Sequence, residues 1–331
     1  MKKILGITST IPIEIPIAAG RIVADLNNLF INSQSSEKYL KFAEEAGYPR
    51  TCCAWIKGIY GYVHIEQPGG MIFVTGGDCS NTQAMLETLI PELREIFIFA
   101  YPYPPDKAAL KIEMERLCAE MGISLKQAEE TGKRLSIIRK LLKELDILTW
   151  EDELVSGFEN FQWLVSSSDF NSSPDLFESE LRLFLDRVKK RNSRFSRIRL
   201  GLIGIPPVFS DFHDVVESLG AKIVLNEIPR QFAMLDTELD LVTRYHKFTY
   251  PYGVWPRIKD IAGEIEKRKI NGLIHYTQSF CHRQIHDVLI RRELKIPVLT
   301  IEGENPSKID QRTKLRIESF LEMLDNATEK I

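Results

Sequence analysis

The chain has 331 residues, of which 44% are hydrophobic and 27% are charged, and its formal net charge is −3. This composition is typical of a globular protein, and the length suits two α/β domains better than one small core. The sequence has no basic stripe that would indicate nucleic-acid binding and no apolar run long enough to span a bilayer. MKKILGITST turns polar too early for a signal peptide, which predicts a cytoplasmic protein with reduced thiols.

The first third of the chain alternates strand-like and helix-like segments. Lys2–Thr8 predicts a strand, and Glu37–Glu45 has the periodicity of a helix. MIFVTGG at 71–77 is a short apolar run ended by glycines, as expected of a buried parallel strand, and EIFIFAYP at 95–102 predicts another. We therefore assign residues 1–106 to an N-terminal α/β domain.

The middle of the chain has an almost wholly helical pattern. Ser124 and Gln127 form a capping-box signature, and the isoleucine and leucine residues from Ile138 to Leu145 keep one apolar face. Residues 107–194 are therefore predicted to form a helical insertion and linker.

A second alternation of strands and helices fills residues 195–331, the predicted C-terminal α/β domain. Its predicted strands are RIRLGLIG (197–204), AKIVLNE (221–227), NGLIHYTQ (271–278) and VLTIEGE (298–304). The fold predicted for the whole chain is α/β, with two Rossmann-like domains that have separate, mostly parallel sheets and are joined by the helical block.

The five cysteines are the main candidates for chemistry. Cys79 and Cys281 each follow a predicted strand and open a predicted helix, one in each α/β domain. Ligands of open parallel sheets bind beyond the carboxyl ends of the strands, where helix N-termini favour negative charge and lower thiol pKa values. Cys118 lies among apolar residues and is interpreted as core packing. Cys52 and Cys53 are adjacent, so they point in different directions and cannot easily share one partner.

Other site motifs are weaker. His282 and His286 are four residues apart and could join Cys281 on zinc, but no HExxH motif or second ligand pair accompanies them. Solvated or capping histidines are the favoured interpretation. GLIGIP at 201–206 is not GxGxxG, and the sequence contains neither GxxxxGK[ST] nor GxSxG, so we assign no nucleotide site and no nucleophile elbow.

Five segments, in this order, are similar to the motifs of one protein family. They are TIPIEIPIAAG (10–20), CAWIKGIYG (53–61), GGDCSNT (76–82), GLIHYTQSFC (272–281) and IPVLTIEGE with RIESFLEML (296–324). The family they resemble is that of the 2-hydroxyacyl-CoA dehydratases and benzoyl-CoA reductases. The first segment resembles the family's opening element, the next three its cysteine motifs and the last its ending, so the resemblance spans nearly the whole chain.

The resemblance implies that Cys53, Cys79 and Cys281 are the ligands of a [4Fe–4S] cluster. Cys53 is preferred because its spacing to Lys57 matches the family motif, and Cys52 stays open as an alternative. Three thiolates leave one iron of the cube open to water, sulfide or a substrate oxygen. Relatives receive one electron at low potential from a separate ATP-hydrolysing activator protein, which agrees with the lack of a phosphate loop in this sequence.

The function implied is that of an iron–sulfur subunit of an ATP-dependent low-potential reductase or a radical 2-hydroxyacyl-CoA dehydratase, which passes one electron to an acyl-CoA thioester. Family members are often heterodimers of related subunits, so we expect a homodimer or a heterodimer. The substrate stays open. No catalytic residue is assigned: Glu14, Lys57, Glu302 and Glu304 lie in family-like motifs, yet each could be an ordinary capping or surface charge.

Three other functions stay open. A small-molecule reductase of the double-cubane type would want about six thiolates for two joined cubes, and the chain has five cysteines. A second alternative is a partner subunit that only relays electrons and performs no catalysis. A bilobal binding protein would suit two α/β lobes but would need a secretion signal.

Overall fold

A computed structural model describes residues 4–193 and 195–328, and they form an α/β fold with two separate four-stranded sheets. The strands of the first sheet, sheet A, are β1 (Leu5–Ile7), β2 (Val23–Asp25), β3 (Gly70–Gly76) and β4 (Ile96–Ala100). Those of sheet B are β5 (Ile198–Gly204), β6 (Ala221–Asn226), β7 (Gly272–Gln278) and β8 (Val298–Gly303). All pairings between these strands are parallel, which confirms the predicted fold class. Lys2 and Lys3 of the first predicted strand lie outside the described residues.

Helices flank the strands in both halves of the chain. The α-helices are α1 (Glu14–Ala18), α2 (Leu26–Ile31), α3 (Ser36–Glu45), α4 (Ala54–Glu66), α5 (Ser80–Leu89), α6 (Lys107–Glu120), α7 (Leu125–Trp150), α8 (Gly157–Val165), α9 (Pro174–Val188), α10 (Phe212–Ser218), α11 (Glu227–Ala233), α12 (Leu241–His246), α13 (Val254–Arg268), α14 (Asp287–Leu294) and α15 (Gln311–Thr328). Short 3₁₀ helices cover Ser166–Ser168, Phe170–Ser172, Tyr250–Tyr252 and His282–His286. None of the helices in this part of the chain has the length and apolar character needed to cross a membrane.

The described residues divide into two compact units, each built from three separate segments. The first unit contains sheet A, and its described residues fall within Met1–Leu141, Ser166–Glu180 and Gln231–Gly253. The second contains sheet B, and its described residues fall within Leu142–Val165, Leu181–Arg230 and Val254–Ile331. The sequence predicted three contiguous domains, at residues 1–106, 107–194 and 195–331. Whether these parts of the chain fold independently stays a prediction.

The two sheets have the same strand order. Sheet A runs β2-β1-β3-β4 and sheet B runs β6-β5-β7-β8. In each sheet the connections reverse direction between the two central strands, β1 and β3 in one and β5 and β7 in the other. Ligands of open parallel sheets bind outside the carboxyl ends of the strands at such a reversal. The loops that follow these four strands are therefore the expected places for a site.

The helices next to sheet A pack closely because glycines stand at two contact points of α4. A Cβ atom on Gly61 would lie 2.1 Å from the main-chain oxygen of Tyr39 in α3. A Cβ atom on Gly58 would lie 2.5 Å from the ring of Phe30 in α2. The glycines of the segment CAWIKGIYG thus have a packing role, which fixes the direction of α4 and the place where it begins.

Local sequence signals and the structure agree at several points. Ser124 and Gln127 form the expected capping box, with Ser124 N donating to Gln127 Oε1 at 2.9 Å. The predicted apolar face of the last helix is buried, with Ile317 and Leu324 at 0% and 3% exposure. The sequence did not reveal β2, which has only three residues, pairs with β1 and is too short to show an alternating pattern.

Two buried carboxyl groups lie close together at the carboxyl end of β2. Asp169 Oδ2 accepts a hydrogen bond from Asp25 N at 2.7 Å, and both side chains are buried. Burial, and then the charge of Asp25, raises the pKa of Asp169 to about 7. Phe170, Asn171 and Ser172 follow with φ values of 52°, 49° and 61°, a conformation that is strained for residues other than glycine. The strained turn at residues 170–172 thus follows a buried carboxyl group, that of Asp169, whose ionised form is disfavoured.

Asp169→Asn is expected to change how stability depends on pH. The ordinary pKa of the group is 3.8, so between about pH 4 and pH 7 the folded chain binds a proton that the unfolded chain has released. The contribution of Asp169 to stability is therefore present at low pH and is lost as pH rises, by about 4 kcal/mol over roughly three pH units. Asparagine does not titrate. In urea unfolding, the variant should gain about this much stability relative to the wild type between pH 4 and pH 8.

A matched control is Asp175→Asn, because the Asp175 side chain is 78% exposed. Its exposed ion pair with Arg134 contributes about 0–1 kcal/mol, so the unfolding free energy of this variant should stay within that margin of the wild type across the same pH range. A difference between Asp169→Asn and the wild type that does not vary with pH would contradict the raised pKa of Asp169.

Candidate functional site

Three of the cysteines occupy the residue immediately before a helix. Cys53 precedes α4, Cys79 precedes α5 and Cys281 precedes the 3₁₀ helix His282–His286. The prediction that Cys79 and Cys281 each follow a strand and open a helix is confirmed, with a 3₁₀ helix in place of an α-helix after Cys281. Backbone N–H groups are exposed at the start of a helix, and they favour a negatively charged group next to α4 and α5.

Cys79 and Cys281 are equivalent within their own sheets. Cys79 follows β3 and Cys281 follows β7, and both strands occupy the third place in the strand order. Each cysteine therefore stands in a loop where the connections of its sheet reverse, at the edge formed by the carboxyl ends of the strands. The repeated topology gives the two units one such thiol each.

Cys53 and Cys79 share their surroundings in the first unit. Both are partly buried and pack, with Cys52, against a core cluster that includes Ile56 of α4 and Phe73 of β3. The helix α4 leads into β3, so its first residue lies at the same edge of the sheet as the end of β3. The structure thus brings Cys53 and Cys79 to one side of one core.

The other two cysteines differ in setting. Cys281 belongs to the second unit and is partly buried. Cys118 lies in α6 with 1% of its surface exposed, and burial raises the pKa of its thiol to about 11. This agrees with the interpretation of Cys118 as core packing. All five cysteines are thiols in the structure.

The expectation that a helix start lowers the pKa of Cys79 is wrong. Burial raises the pKa of the Cys79 thiol, and the charge of the adjacent Asp78 raises it further. These effects outweigh hydrogen bonding from Thr82 and from the backbone of Asn81. A thiol of this kind is a poor nucleophile at neutral pH, since the thiolate is the reactive form. A metal can still displace its proton, so coordination is the chemistry that this environment allows.

Lys57 has a structural role in positioning the start of α4. Its side chain is 3% exposed, and its ammonium group donates to Glu44 Oε1 of α3 at 2.7 Å. It also donates to the main-chain oxygen of Arg50 at 3.3 Å, just ahead of the two adjacent cysteines. Lys57 therefore ties together the segment on both sides of Cys53.

The loop around Cys281 is held by Glu302, which lies in β8. Ser279 Oγ and Gln284 Nε2, on either side of Cys281, donate to the two carboxylate oxygens of Glu302 at 2.7 Å each. Glu304 is exposed, and its main-chain oxygen accepts a hydrogen bond from Gln278. Glu302 thus fixes the cysteine loop from both sides, a role that the sequence did not indicate.

Glu14 lies at the centre of a buried ionic cluster in the first unit. Its carboxylate is fully buried and accepts hydrogen bonds from Arg139 and Tyr245, each at 2.7 Å. Arg244 lies 3.5 Å away and is buried as well. Burial alone would raise the pKa of Glu14, but the two guanidinium charges outweigh burial and lower it. Glu14 is therefore ionised and joins α1 to α7 and α12.

His275 in β7 was not identified from the sequence. It is 1% exposed, and its Nδ1 lies 2.8 Å from Asp287 Oδ1 at the start of α14. Asp287 also accepts hydrogen bonds from Arg291 and Thr300 at 2.6 Å each. The sequence predicted a strand at 271–278, but no local pattern indicated that His275 would be buried beside Asp287.

The histidines beside Cys281 are neutral at physiological pH. Burial, assisted by neighbouring positive charges, lowers the pKa of His286 to about 4, and burial lowers that of His282. Across residues 4–193 and 195–328, no group of three or more His, Cys, Asp or Glu side chains is arranged to hold a metal ion.

The cysteine donors nevertheless suit a four-iron cluster. Such a cluster binds each thiolate on a different iron, so its ligands are spread around a cube and lie further apart than the ligands of a single ion. Cys53 and Cys79 are partly buried thiols beside one core, and Cys281 has the equivalent place in the other unit. Soft thiolates in partly buried positions are the donor set that iron–sulfur clusters require.

Comparison with known families connects these observations. A family model described as 2-hydroxyglutaryl-CoA dehydratase, D-component, matches residues 8–324. The match covers nearly the whole chain and includes all three candidate cysteines. A search of curated proteins finds no match.

Proposed function

We infer, since the chain belongs to the 2-hydroxyglutaryl-CoA dehydratase D-component family, that it is the iron–sulfur subunit of a radical dehydratase or low-potential reductase acting on an acyl-CoA. The observation that carries this proposal is the repeated placement of Cys79 and Cys281, each after the third strand in the order of its own sheet. Each sheet therefore has a thiol at its strand-order reversal, where ligands of open parallel sheets bind.

Cys53, Cys79 and Cys281 are the proposed ligands of a [4Fe–4S] cluster, with Cys52 as the alternative to Cys53. When bound, a cluster with three thiolate ligands supplies one-electron transfer and one iron position open to an oxygen ligand. Burial and the charge of Asp78 raise the pKa of the Cys79 thiol. The free thiol is therefore protonated, and metal binding must release its proton.

The residues around the cysteines keep the thiols in place. Lys57 anchors the start of α4 through Glu44, and Glu302 anchors the Cys281 loop through Ser279 and Gln284. At Cys79, the Thr82 hydroxyl donates to Asp78 Oδ2 at 2.9 Å and lies 3.7 Å from the cysteine sulfur. Outer contacts of this kind orient metal ligands before binding and tune the bound group.

The proposed partners are a separate ATP-hydrolysing activator protein and a related subunit, in a homodimer or heterodimer. The sequence has no phosphate-binding loop of its own. Adding an electron to a thioester carbonyl is far uphill, and one electron over one volt corresponds to roughly 23 kcal/mol. A deficit of a few hundred millivolts therefore needs coupled ATP hydrolysis, which we assign to the activator.

Single-turnover measurements test this assignment. We expect the purified protein alone neither to bind nor to hydrolyse ATP, and to convert acyl-CoA only with a matching activator, ATP and a strong reductant. The measurement is rapid-quench product formation after dithionite reduction, with activator and ATP present together, singly or not at all. Full turnover without ATP at physiological potentials would overturn this mechanism and would favour a role in simple electron relay.

A further inference from the structure

Among the described residues of the first unit, three buried hydroxyl oxygens make no hydrogen bond: Thr10 Oγ1, Thr249 Oγ1 and Tyr252 Oη. Thr10 and Tyr252 are the two of these residues that are themselves buried, at 3% and 4% exposure, and Thr249 is partly exposed. Buried polar groups are hydrogen-bonded in the large majority of cases, so each exception needs a physical explanation. A bound ligand and an ordered water are the two that suit a pair of hydroxyl donors.

The two hydroxyl groups belong to one neighbourhood, because Tyr101 contacts both residues. Tyr101 Oη donates to the main-chain oxygen of Thr10 at 3.0 Å. The ring of Tyr101 packs edge-to-face on that of Tyr252, with centroids 5.9 Å apart. Thr10 follows β1 and Tyr101 follows β4, so the neighbourhood lies at the carboxyl edge of sheet A.

The same neighbourhood contacts the loop that carries Cys79. Gly77, two residues before the cysteine, has φ +92°, and a Cβ atom there would lie 2.4 Å from Pro251 Cβ and 3.1 Å from Tyr101 Cβ. Only glycine permits both this conformation and this close approach. The segment with Pro251 and Tyr252 therefore packs directly on the loop after β3.

Three neighbouring buried hydroxyl groups form hydrogen bonds within the protein. Tyr101 donates to Thr10, Tyr245 donates to Glu14, and the Thr8 hydroxyl accepts from the backbone of Val74. Thr10 and Tyr252 lie beside these paired groups without a hydrogen-bond partner of their own. Two other buried atoms of the segment that leads to Tyr252, Thr249 Oγ1 and His246 Nδ1, also lack a partner, and the ring centroid of His246 lies 6.1 Å from that of Tyr252.

We propose that the hydroxyl groups of Thr10 and Tyr252 bind an oxygen atom of the substrate's acyl group at the carboxyl edge of sheet A. This rests on the proposed function and names the residues that position its acyl-CoA. A carbonyl oxygen has two lone pairs and can accept both hydrogen bonds, and a 2-hydroxyl oxygen can do the same. Burial raises the pKa of Tyr252 well above neutrality, so its hydroxyl stays a neutral donor. Two neutral hydroxyl donors suit an uncharged oxygen better than a phosphate or carboxylate.

The test compares Tyr252→Phe and Thr10→Val with the wild type in the full-length protein. Calorimetric titration gives the affinities for 2-hydroxyglutaryl-CoA, for glutaryl-CoA, which lacks the 2-hydroxyl, and for free CoA, which lacks the acyl group. Each hydroxyl removed should weaken 2-hydroxyglutaryl-CoA binding about 5- to 10-fold and leave free CoA binding unchanged. An equal loss for glutaryl-CoA identifies the thioester carbonyl as the bound oxygen, and no loss for glutaryl-CoA identifies the 2-hydroxyl.

Thermal unfolding without ligand provides the second readout. Because Tyr252→Phe removes a hydroxyl that the free protein leaves unpaired, Tm should stay the same or rise while affinity falls. Tyr39→Phe is the matched control: this buried tyrosine donates to Glu66 at 2.9 Å, so its loss should lower Tm and leave the affinities unchanged.

Unchanged acyl-CoA affinity in both Tyr252→Phe and Thr10→Val would overturn the inference and leave an ordered water as the partner of these hydroxyl groups. That result is distinct from a failure of the proposed function. If the wild type binds neither 2-hydroxyglutaryl-CoA nor glutaryl-CoA, the proposed acyl-CoA function is wrong, and the inference about Thr10 and Tyr252 is wrong as well.

Discussion

Replacing Glu14 by glutamine is expected to lower the free energy of unfolding by about 3–5 kcal/mol. The carboxylate is fully buried between the guanidinium groups of Arg139 and Arg244, at 2.7 and 3.5 Å. Glutamine keeps the shape but removes the negative charge, which leaves two buried cations without a counter-ion. Chemical denaturation monitored by circular dichroism would measure the change.

Glu95→Gln is the matched control for this prediction. Glu95 also pairs with an arginine, Arg21, but the two side chains are 38% and 28% exposed. Exposed ion pairs contribute about 0–1 kcal/mol, so this variant should remain close to the wild type. A Glu14→Gln effect no larger than that of Glu95→Gln would show that the buried cluster does not depend on its charge.

Replacing Cys53, Cys79 or Cys281 by alanine is expected to abolish iron binding, with loss of the brown colour of the anaerobically isolated protein. Three thiolates are the minimum with which the chain is proposed to hold a cube, so removing one should release it. Iron content and the visible absorption spectrum of each variant measure the effect, and circular dichroism checks that the variant is folded.

Two further cysteine variants make the result specific. Cys118→Ala should keep its iron, because Cys118 is 1% exposed within α6 and lies outside the cluster that holds Cys53 and Cys79. Cys52→Ala distinguishes between the two adjacent cysteines and should also keep its iron. Iron retained by Cys79→Ala, or lost from Cys118→Ala, would contradict the assignment.

The strands that the sequence revealed are those with the strongest local signals. The strands β3 (GMIFVTG) and β7 (GLIHYTQ) have seven residues each and begin with apolar residues after a glycine, and the whole of β7 is buried. Such strands are predictable because a parallel strand that is covered on both faces is mostly apolar. The strand β2 has only three residues and is defined by its pairing with β1. A local sequence pattern cannot predict such a pairing.

The same division applies to the site. The positions of Cys79 and Cys281 could be predicted because a strand followed directly by a helix is a local feature. The pKa of Cys79 could not, since burial depends on tertiary packing. Glu14 lies 125 residues from Arg139 in the sequence, so the sequence could not predict that the two residues belong to one buried ionic cluster.

The measurement that bears most directly on the central claim is the iron and acid-labile sulfide content of the anaerobically purified wild-type protein, before and after reconstitution. A single cube held by three thiolates predicts about four iron and about four sulfide per chain, with an electron paramagnetic resonance signal on one-electron reduction. A protein that remains free of iron after reconstitution, or that binds a lone metal ion without sulfide, would contradict the account.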